Sequence, residues 1–315
     1  MTIASGLGSQ LGFAAESTPG TRQTPTRFLE FVDENLRYHR TKVWSRGIRA
    51  GRHTRTRGHQ LGGWVDGPIK IELAPQSTAL LFKHLLGAVV TTGSGPYLHT
   101  FSHGVLDALT MTVQINRPDE GGTDRPFDFV GMQFTGAKLE AKINELVYLT
   151  LDTYGAYEDT TQSLAAASYP SSWTPFTFVH GSLSLGSAYD VSAIELTIPT
   201  GLRTGRHAIR ATNPERPKVS KSQNRREIVG RMQSDFFDLT AYNRFKNQTA
   251  ATLTLTFTSG TNILTITGNV EFDEPDGPKV SGEEMLEIGL PFAFCHATSD
   301  ATAFTITLQN SDATA

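Results

Sequence analysis

Apolar and polar residues alternate along several segments of the chain, and this pattern limits the available folds more than any other feature. Apolar side chains occupy every second position in residues 69–73, 109–115, 137–143 and 253–257. Successive side chains of a strand point to opposite faces, so each segment would place one face on a core and the other in water. The pattern predicts a mainly β protein built from half-buried strands.

A seven-residue motif occurs twice in the chain. Residues 47–53, GIRAGRH, recur as GLRTGRH at residues 201–207, an offset of 154 in a chain of 315 residues. Further pairs follow in the same order: Gly67 with Gly230, Phe82 with Phe245, Lys83 with Lys246, and residues 109–113 with 253–257. The offset changes between pairs, as expected when loops gain or lose residues and strands keep their order. The chain is therefore predicted to contain one unit copied twice.

The repeat divides the chain into two predicted domains. The first covers residues 1–160 and begins with an N-terminal arm at 1–25, and the second covers 161–315 and ends with an extension at 298–315. About 150 residues are enough for each domain to bury its own core. An alternating segment near the end, residues 303–309, would add a strand to its own sheet or to the edge of a neighbour's sheet.

Each predicted domain has one helical segment. Ser77 would cap a helix over residues 80–86 that ends at Gly87, and Asp238 would cap a helix over residues 239–246. A helix of this length is marginal on its own, so the simplest interpretation is one short helix per domain that packs on a sheet. We expect two tandem β-sandwich or barrel domains, each with one short α-helix.

Basic residues are concentrated in two regions around long polar loops at 46–62 and 199–226. Residues 37–57 hold eight basic and no acidic residues, whereas residues 203–231 hold nine basic and two acidic residues. Of 28 basic and 31 acidic residues, 11 and 29 therefore remain elsewhere, so the net charge of −3 conceals an acidic body. Three hypotheses follow: arms for nucleic acid, solvated surface, or hairpin loops that dock on the acidic body of another copy.

The sequence lacks the patterns of common catalytic and cofactor sites. Residues 91–96 lack the lysine and spacing of a phosphate-binding loop, and no nucleophile elbow is present. His53 and His207 are the only matched histidines, and the arginines beside each disfavour a metal ion. The acidic residues 273–276 fit a calcium loop poorly because Pro275 stands at a ligand position, which favours a solvated turn. We predict no enzyme activity, no cofactor and no metal site.

The N-terminus and the hydropathy also bear on location. Residues 1–23 lack the basic start and apolar middle of a signal peptide, and no apolar run approaches the ~20 residues that cross a membrane. We expect a soluble, non-secreted chain without a membrane partner.

Several segments resemble the tail tube proteins of long-tailed bacteriophages. They are residues 10–21 (QLGFAAESTPGT), 26–29 (TRFL), 79–87 (ALLFKHLLG), 163–170 (SLAAASYP) and 238–245 (DLTAYNRF), together with the repeated glycine-arginine motif. The resemblance covers most of the chain, and its motifs are structural rather than catalytic.

The resemblance implies a β protein of the virion tail, assembled in the host cytoplasm, whose rings stack into a hollow tube for the genome. Rings of this family usually present six tube domains, with inner sheets joined into one barrel. The implied partners are other copies of the chain, a tape-measure protein, and tail terminator and tip proteins, while DNA passes without specific binding. A neck or minor tail component and a nucleic-acid-binding module are the alternatives.

A chain with two tube domains needs only three copies to present six, so we predict a trimeric, pseudo-hexameric ring. An acidic wall would repel DNA phosphates and let the genome slide, and the basic loops would reach the next ring along the axis. The candidate wall residues are Glu72, Glu140, Asp152, Glu195, Asp235 and Glu287. The candidate inter-ring residues are Arg46, Arg49, Arg52, His53, Arg55, Arg57, Arg203, Arg206, His207 and Arg210.

Overall fold

The protein is mainly β, as the alternating pattern predicted. The computed structural model describes residues 5–170, 173–278, 280, 282–283, 285–296 and 303–315. Strands account for 48% of the chain and helices for 7%. The paired strands are antiparallel, and nearly all of them belong to one connected network. A two-stranded ribbon is separate from this network.

The elements follow one another in an order that is dominated by strands. The strands are β1 (Leu11–Ala15), β2 (Arg27–Leu29), β3 (Phe31–Glu34), β4 (Arg37–Val43), β5 (His59–Glu72), β6 (Gly87–Thr92), β7 (Tyr97–His103), β8 (Met111–Asn116), β9 (Pro126–Lys142), β10 (Tyr148–Gly155), β11 (Tyr157–Asp159), β12 (Gly181–Leu185), β13 (Ala193–Pro199), β14 (Leu202–Arg203), β15 (Lys221–Ser222), β16 (Val229–Asp235), β17 (Ala251–Ser259), β18 (Asn262–Phe272), β19 (Glu287–Cys295) and β20 (Phe304–Asn310). The helices are α1 (Ala79–Leu86) and α2 (Thr240–Lys246), with short 3-10 turns at Gly6–Gly8 and Phe178–His180.

Both helices lie where the sequence predicted them, although the capping differs in detail. The N-cap position of α1 is Thr78 rather than Ser77, and the Thr78 hydroxyl donates to the carbonyl of Ala74 (2.9 Å). Before α2, the Asp238 carboxylate accepts a hydrogen bond from the amide of Thr240 (2.7 Å), the interaction expected of a capping residue. α1 ends at Gly87, whose φ of +102° is the left-handed conformation typical of a helix C-terminus.

The strand pairings of the first half form one continuous series. β1 pairs with β8, β8 with β9, β9 with β10, β10 with β5, and β5 with β3 and β4, all antiparallel. β9 is long enough to serve two layers, because its first residues pair with β8 and its later ones with β10. Helix α1 lies between β5 and β8 in the chain.

The strands of the second half pair in the same series. β12 pairs with β17, β17 with β18, β18 with β19, β19 with β16, and β16 with β13, again all antiparallel. Helix α2 lies between β16 and β17, in the place of α1. The first half has in addition the β6–β7 hairpin. The repeated series supports the duplication, whereas the boundaries at 160 and 161 stay a prediction.

The two series meet in one sheet. β9 pairs along its other edge with β13, over seven registered positions from Gly136 with Pro199 to Lys142 with Ala193. The order β4–β5–β10–β9–β13–β16–β19–β18 therefore runs without interruption across both halves, and we name it the shared sheet. Its buried side packs into a single apolar cluster that includes Leu139 and Leu196, both fully buried. Four strands of each half thus lie side by side.

The C-terminal strand belongs to the chain's own sheet. β20 pairs with β18 on one side and with β7 on the other, and Phe304, Ile306 and Leu308 are fully buried. Of the two alternatives for residues 303–309, the structure has the intramolecular one. The predicted extension at 298–315 is described only from residue 303 onward.

Candidate assembly surfaces

All six predicted wall residues lie on one face of the shared sheet. Residues directly opposite each other in neighbouring strands point to the same side. Glu72 and Glu140 both lie opposite Tyr148, and Glu140 lies in turn opposite Glu195. Asp235 lies opposite Glu287, and Asp152 shares the face of Tyr148, four residues away in β10. The structure therefore brings these side chains together on the side that faces away from the core, and we name it the acidic face.

Acidic side chains outnumber basic ones on this face, by ten to five among the residues that strand pairing places there in the shared sheet, in β3 and after β18. The acidic residues are Asp33, Asp66, Glu72, Glu140, Asp152, Glu195, Asp235, Glu271, Asp276 and Glu287. The basic residues are Arg37, Lys70, Lys138, Lys142 and Arg231. The net charge of the face is thus negative even though both signs occur.

Three of the five bases are held close to acidic or aromatic partners. The Lys138 ammonium lies 3.1 Å from Glu140 and 3.0 Å from Glu195, and the hydrogen bond to Glu195 raises the pKa of Lys138. The Arg231 guanidinium lies 2.6 Å from Asp276. Lys70 lies 4.3 Å from the centre of the Tyr148 ring. Exposed pairs of this kind contribute at most about 1 kcal/mol each, and their main effect is to leave the unpaired carboxylates dominant.

The first basic loop, residues 44–58, joins β4 to β5 and projects from the sheet. Six of the ten predicted inter-ring residues lie in it and are exposed: Arg46, Arg49, Arg52, His53, Arg55 and Arg57. Its apolar Ile48 is also fully exposed. At its root, Lys42 and Arg55 lie over the ring of Trp44, at 4.6 and 5.9 Å from its centre. The loop thus presents arginines with few contacts to their own chain.

The second basic loop, residues 200–228, joins β13 to β16 and lies on the first half. Arg203 and His207 are exposed, whereas Arg206 and Arg210 are half-buried. Arg206 donates to the carbonyl of Val219 (3.0 Å), and Arg210 donates to that of Asn213 (2.9 Å). These two guanidinium groups therefore brace their own loop, a role that the sequence did not indicate.

Further contacts fix the second loop in place. Arg226 donates to the carbonyls of Leu86 (2.7 Å) and Gly104 (2.6 Å), so it caps the C-terminus of α1 from the other half. Burial lowers the pKa of the Arg226 guanidinium. The amide of Ser220 donates to the buried Gln133 side chain (2.8 Å). Sequence reasoning missed Arg226, because its partners are backbone carbonyls that no local pattern identifies.

The two loops lie at the same end of the shared sheet. Along the shared sheet β4 is the first strand and β13 the fifth, and neighbouring strands are antiparallel, so β4 and β13 run in the same direction. The loops that follow them therefore leave the same end of the sheet. The second loop also touches the start of β5, the strand that follows the first loop, since the Gly63 amide donates to the Glu215 carbonyl (2.8 Å). A methyl group on Gly62 would lie 2.7 Å from the His207 ring. The chain thus carries both basic loops at one end of the shared sheet.

The described part of the chain offers no group of metal-binding side chains. No three histidine, cysteine or carboxylate residues there lie close enough to share a metal ion. Of the matched histidines, His53 is exposed in the first loop and His207 lies against Gly62. Neither α1 nor α2, nor any other helix among the described residues, has the length and hydropathy to cross a membrane.

The fold and these surfaces define a mainly β protein with two repeated sheet units, a charged sheet face and paired basic loops. The chain belongs to the phage tail tube protein family, which it matches over residues 6–294. No curated protein matches the chain. The protein is therefore a structural component of the phage tail tube, as the sequence resemblance predicted.

Proposed function

We propose that three copies of the chain close into a ring with six tube units, and that these rings stack into a hollow tube. The observation that carries the proposal is the shared sheet, in which four strands of each half lie edge to edge through β9 and β13. If the domains at 1–160 and 161–315 are the tube units, three chains supply 24 strands. At ~4.8 Å spacing and a tilt near 40°, such a barrel is about 50 Å across.

The acidic face would line the lumen. Its opposite side packs into the apolar core, so this is the side of the shared sheet that can face a channel. Carboxylates such as Glu72, Asp152 and Asp235 would repel the phosphates of a passing genome and prevent adhesion. We propose that the genome passes through the tube during infection without specific binding.

The basic loops would contact the next ring. Both leave the same end of the sheet, so in a closed ring they would form a circle of six loops along the axis. In the first loop, exposed arginines such as Arg49 and Arg52 are available for bidentate pairing with carboxylates of another copy. In the second loop, Arg203 is available in the same way, whereas Arg206 and Arg210 would shape the loop. A tape-measure protein and terminator and tip proteins are the further partners we propose.

Electron microscopy of the concentrated protein and the native mass of a single ring test the proposal. We expect long tubes, and rings with the mass of three chains. Rings of six chains would contradict the pseudo-hexamer, and a protein that stays monomeric at all concentrations would contradict self-assembly. Duplex binding by the monomer that weakens steeply with salt would instead favour the nucleic-acid module.

Charge reversal separates stacking from ring closure. We expect Arg49→Glu with Arg52→Glu to leave folded subunits and closed rings, and to prevent rings from stacking, because like charges would then face each other between rings. The matched control, Arg125→Glu with Lys246→Glu, makes the same charge change outside the loops and should leave tube growth intact. Normal tubes from the loop variant would refute the docking role.

A further inference from the structure

We propose that the lateral contact between neighbouring copies in the ring is an ion-paired strand joint. In it, the free edge of β3–β4 of one copy pairs with residues 273–276 after β18 of the next copy. The inference rests on the proposed ring and identifies the two edges that would close it. It extends to a second copy the joint that β9 and β13 form within one chain.

The intramolecular joint provides the template. Lys138 of β9 lies opposite Thr197 of β13, and Leu139 lies opposite Leu196. Just beyond the strand, the Thr200 amide donates to the carbonyl of Thr135 (3.1 Å). The Lys138 ammonium reaches Glu195 across the joint. One edge of the first unit thus meets the other edge of the second in a defined register, with an ion pair on the acidic face.

Strand pairing shows which residues hold equivalent positions at the two outer edges. Arg37 of β4 lies opposite Asp66 of β5, and Thr197 of β13 lies opposite Val229 of β16. Asp66 and Val229 are equivalent residues, because each directly precedes the matched glycine of its strand, Gly67 or Gly230. Arg37 is therefore the counterpart of Thr197. Arg40, three residues on, is the counterpart of Thr200.

The same comparison identifies the counterpart of Lys138. Lys138 lies opposite Thr150 of β10, and the isolated bridge of Asp276 with Gly289 of β19 occupies the equivalent place. Both halves also deviate from regular pairing at one equivalent point, at Thr135 in β9 and at Asp273 after β18, whose amide donates to Pro291. Asp276 is thus the counterpart of Lys138, and Asp273 that of Thr135.

If two copies pair in the register of β9 with β13, opposite charges lie across from each other. Arg37 of one copy would lie opposite Asp276 of the next, and Arg40 would lie opposite Asp273. Between them, His39 would lie opposite Glu274. The strand from 37 to 42 holds three bases and no acid, and residues 271–276 hold four acids and no base. Such a match favours correct pairing of the two edges and disfavours pairing of like edges.

Both edges are free to accept a partner in the described part of the chain. β4 pairs only with β5, and residues 273–276 make backbone bonds only toward β19. The side chains of Arg37, Arg40, Asp273 and Asp276 are exposed. Asp276 already contacts Arg231 at 2.6 Å, and a carboxylate with two oxygens can accept a second guanidinium.

Pro275 makes this joint different from its template. It stands at the position of Ala137, whose backbone faces β13 if the strand alternates regularly, and proline has no amide hydrogen to donate. The lateral joint would therefore lack one hydrogen bond of the ladder. Proline on an edge strand also reduces indiscriminate pairing with other chains. The charge pairs would consequently contribute more of the specificity here than in the β9–β13 joint.

A charge exchange tests the proposal through the native mass of the assembled protein. Arg37→Asp and Asp276→Arg alone should each reduce the ring fraction at least tenfold and leave folded monomers, as checked by circular dichroism. The two changes combined in one chain should restore rings, because each neighbouring contact then regains an opposite pair. The control Arg125→Asp should form rings. Closed rings from both single variants, or no restoration in the double variant, would overturn the proposed joint.

A disulfide trap tests the register by a second route, without any need for charge. In a Cys295→Ser background, Arg37→Cys with Asp276→Cys should link neighbouring chains on oxidation, because residues of a non-hydrogen-bonded pair lie about 4.5 Å apart at Cα. The pair Arg37→Cys with Glu274→Cys lies two residues out of register and should link at least tenfold more slowly. Equal rates would overturn the register. Linked chains in rings of six would retain the joint while refuting the ring of three.

Discussion

His84 makes the stability of the subunit depend on pH in a direction that can be measured. The imidazole lies on the buried side of α1 and is only 3% exposed. Neither ring nitrogen has a hydrogen-bond partner of good geometry, although the Leu109 backbone lies near enough to oppose the shift. Burial first, and the positive charge of Lys83 second, lower the pKa of His84 from 6.5 to about 4.

The sign and size of the effect follow from proton linkage. Below pH 6.5 the unfolded chain binds a proton at His84, whereas the folded chain does not until about pH 4. Stability is therefore fully present above pH 6.5 and falls as the pH drops toward 4. Each pH unit in this window costs ~1.4 kcal/mol, so the total loss is about 3 kcal/mol. That is a large part of the roughly 5–15 kcal/mol that keeps a domain folded.

Urea unfolding of dilute, unassembled subunits at pH 7.5 and pH 4.5 measures this loss. We expect His84→Leu to be at least as stable as the native chain at pH 7.5, since leucine fills the site without needing hydrogen bonds. Between the two pH values the native chain should lose about 2 to 3 kcal/mol more than the variant. Lys83→Met keeps the histidine and should reduce the difference by less than half. Identical pH dependence in the native chain and His84→Leu would refute the reasoning.

Two further predictions concern positions that the fold constrains. A methyl group on Gly67, where φ is +142°, would lie 2.1 Å from the Asn35 carbonyl oxygen, so Gly67→Ala should cost about 3 kcal/mol in urea unfolding. Gly230→Ala should cost about half as much, because there the methyl meets side-chain atoms of Phe292 and Leu196, which can shift more readily than backbone; an equal cost would contradict the backbone clash. Arg226→Met should cost about 2 kcal/mol and speed proteolysis within residues 200–228, since the Leu86 and Gly104 carbonyls each lose the hydrogen bond from Arg226, and Leu86 keeps only that from the Gly104 amide. Unchanged cleavage would show that Arg226 does not hold the loop.

Local patterns in the sequence determined the fold class and the placement of many elements. Alternation predicted strands such as β9 and β17, because the side chains of a strand alternate between two faces whatever lies beside it. The same rule placed each candidate wall residue on the outward side of its own strand, and only the pairing of the strands brought all six onto one face. The repeated motif, and the equal spacing of Gly67 to Lys83 and of Gly230 to Lys246, predicted a duplication. The matching series of strand pairs in the two halves supports it.

These patterns could not predict the pairing register of the strands or which strands pair with each other. The sequence matched residues 109–113 with 253–257, which correctly relates β8 to β17. However, strand pairing makes Ala251 the counterpart of Met111, four positions from the Leu255 that the pattern suggested. A period of two fits equally well after any even shift, so the pattern alone cannot select the register.

The shared sheet and the fate of the two basic loops were decided by tertiary structure alone. β9 meets β13 because edge strands satisfy their free backbone groups with whichever strand the chain brings alongside, and those backbone groups are the same in every residue except proline. Equally, the sequence treated the two loops as equivalent, yet Arg206 and Arg210 bond to carbonyls of their own loop while Arg49 and Arg52 project from theirs. Composition determined that the loops are basic, and only the contacts around each loop decided which arginines are free to act.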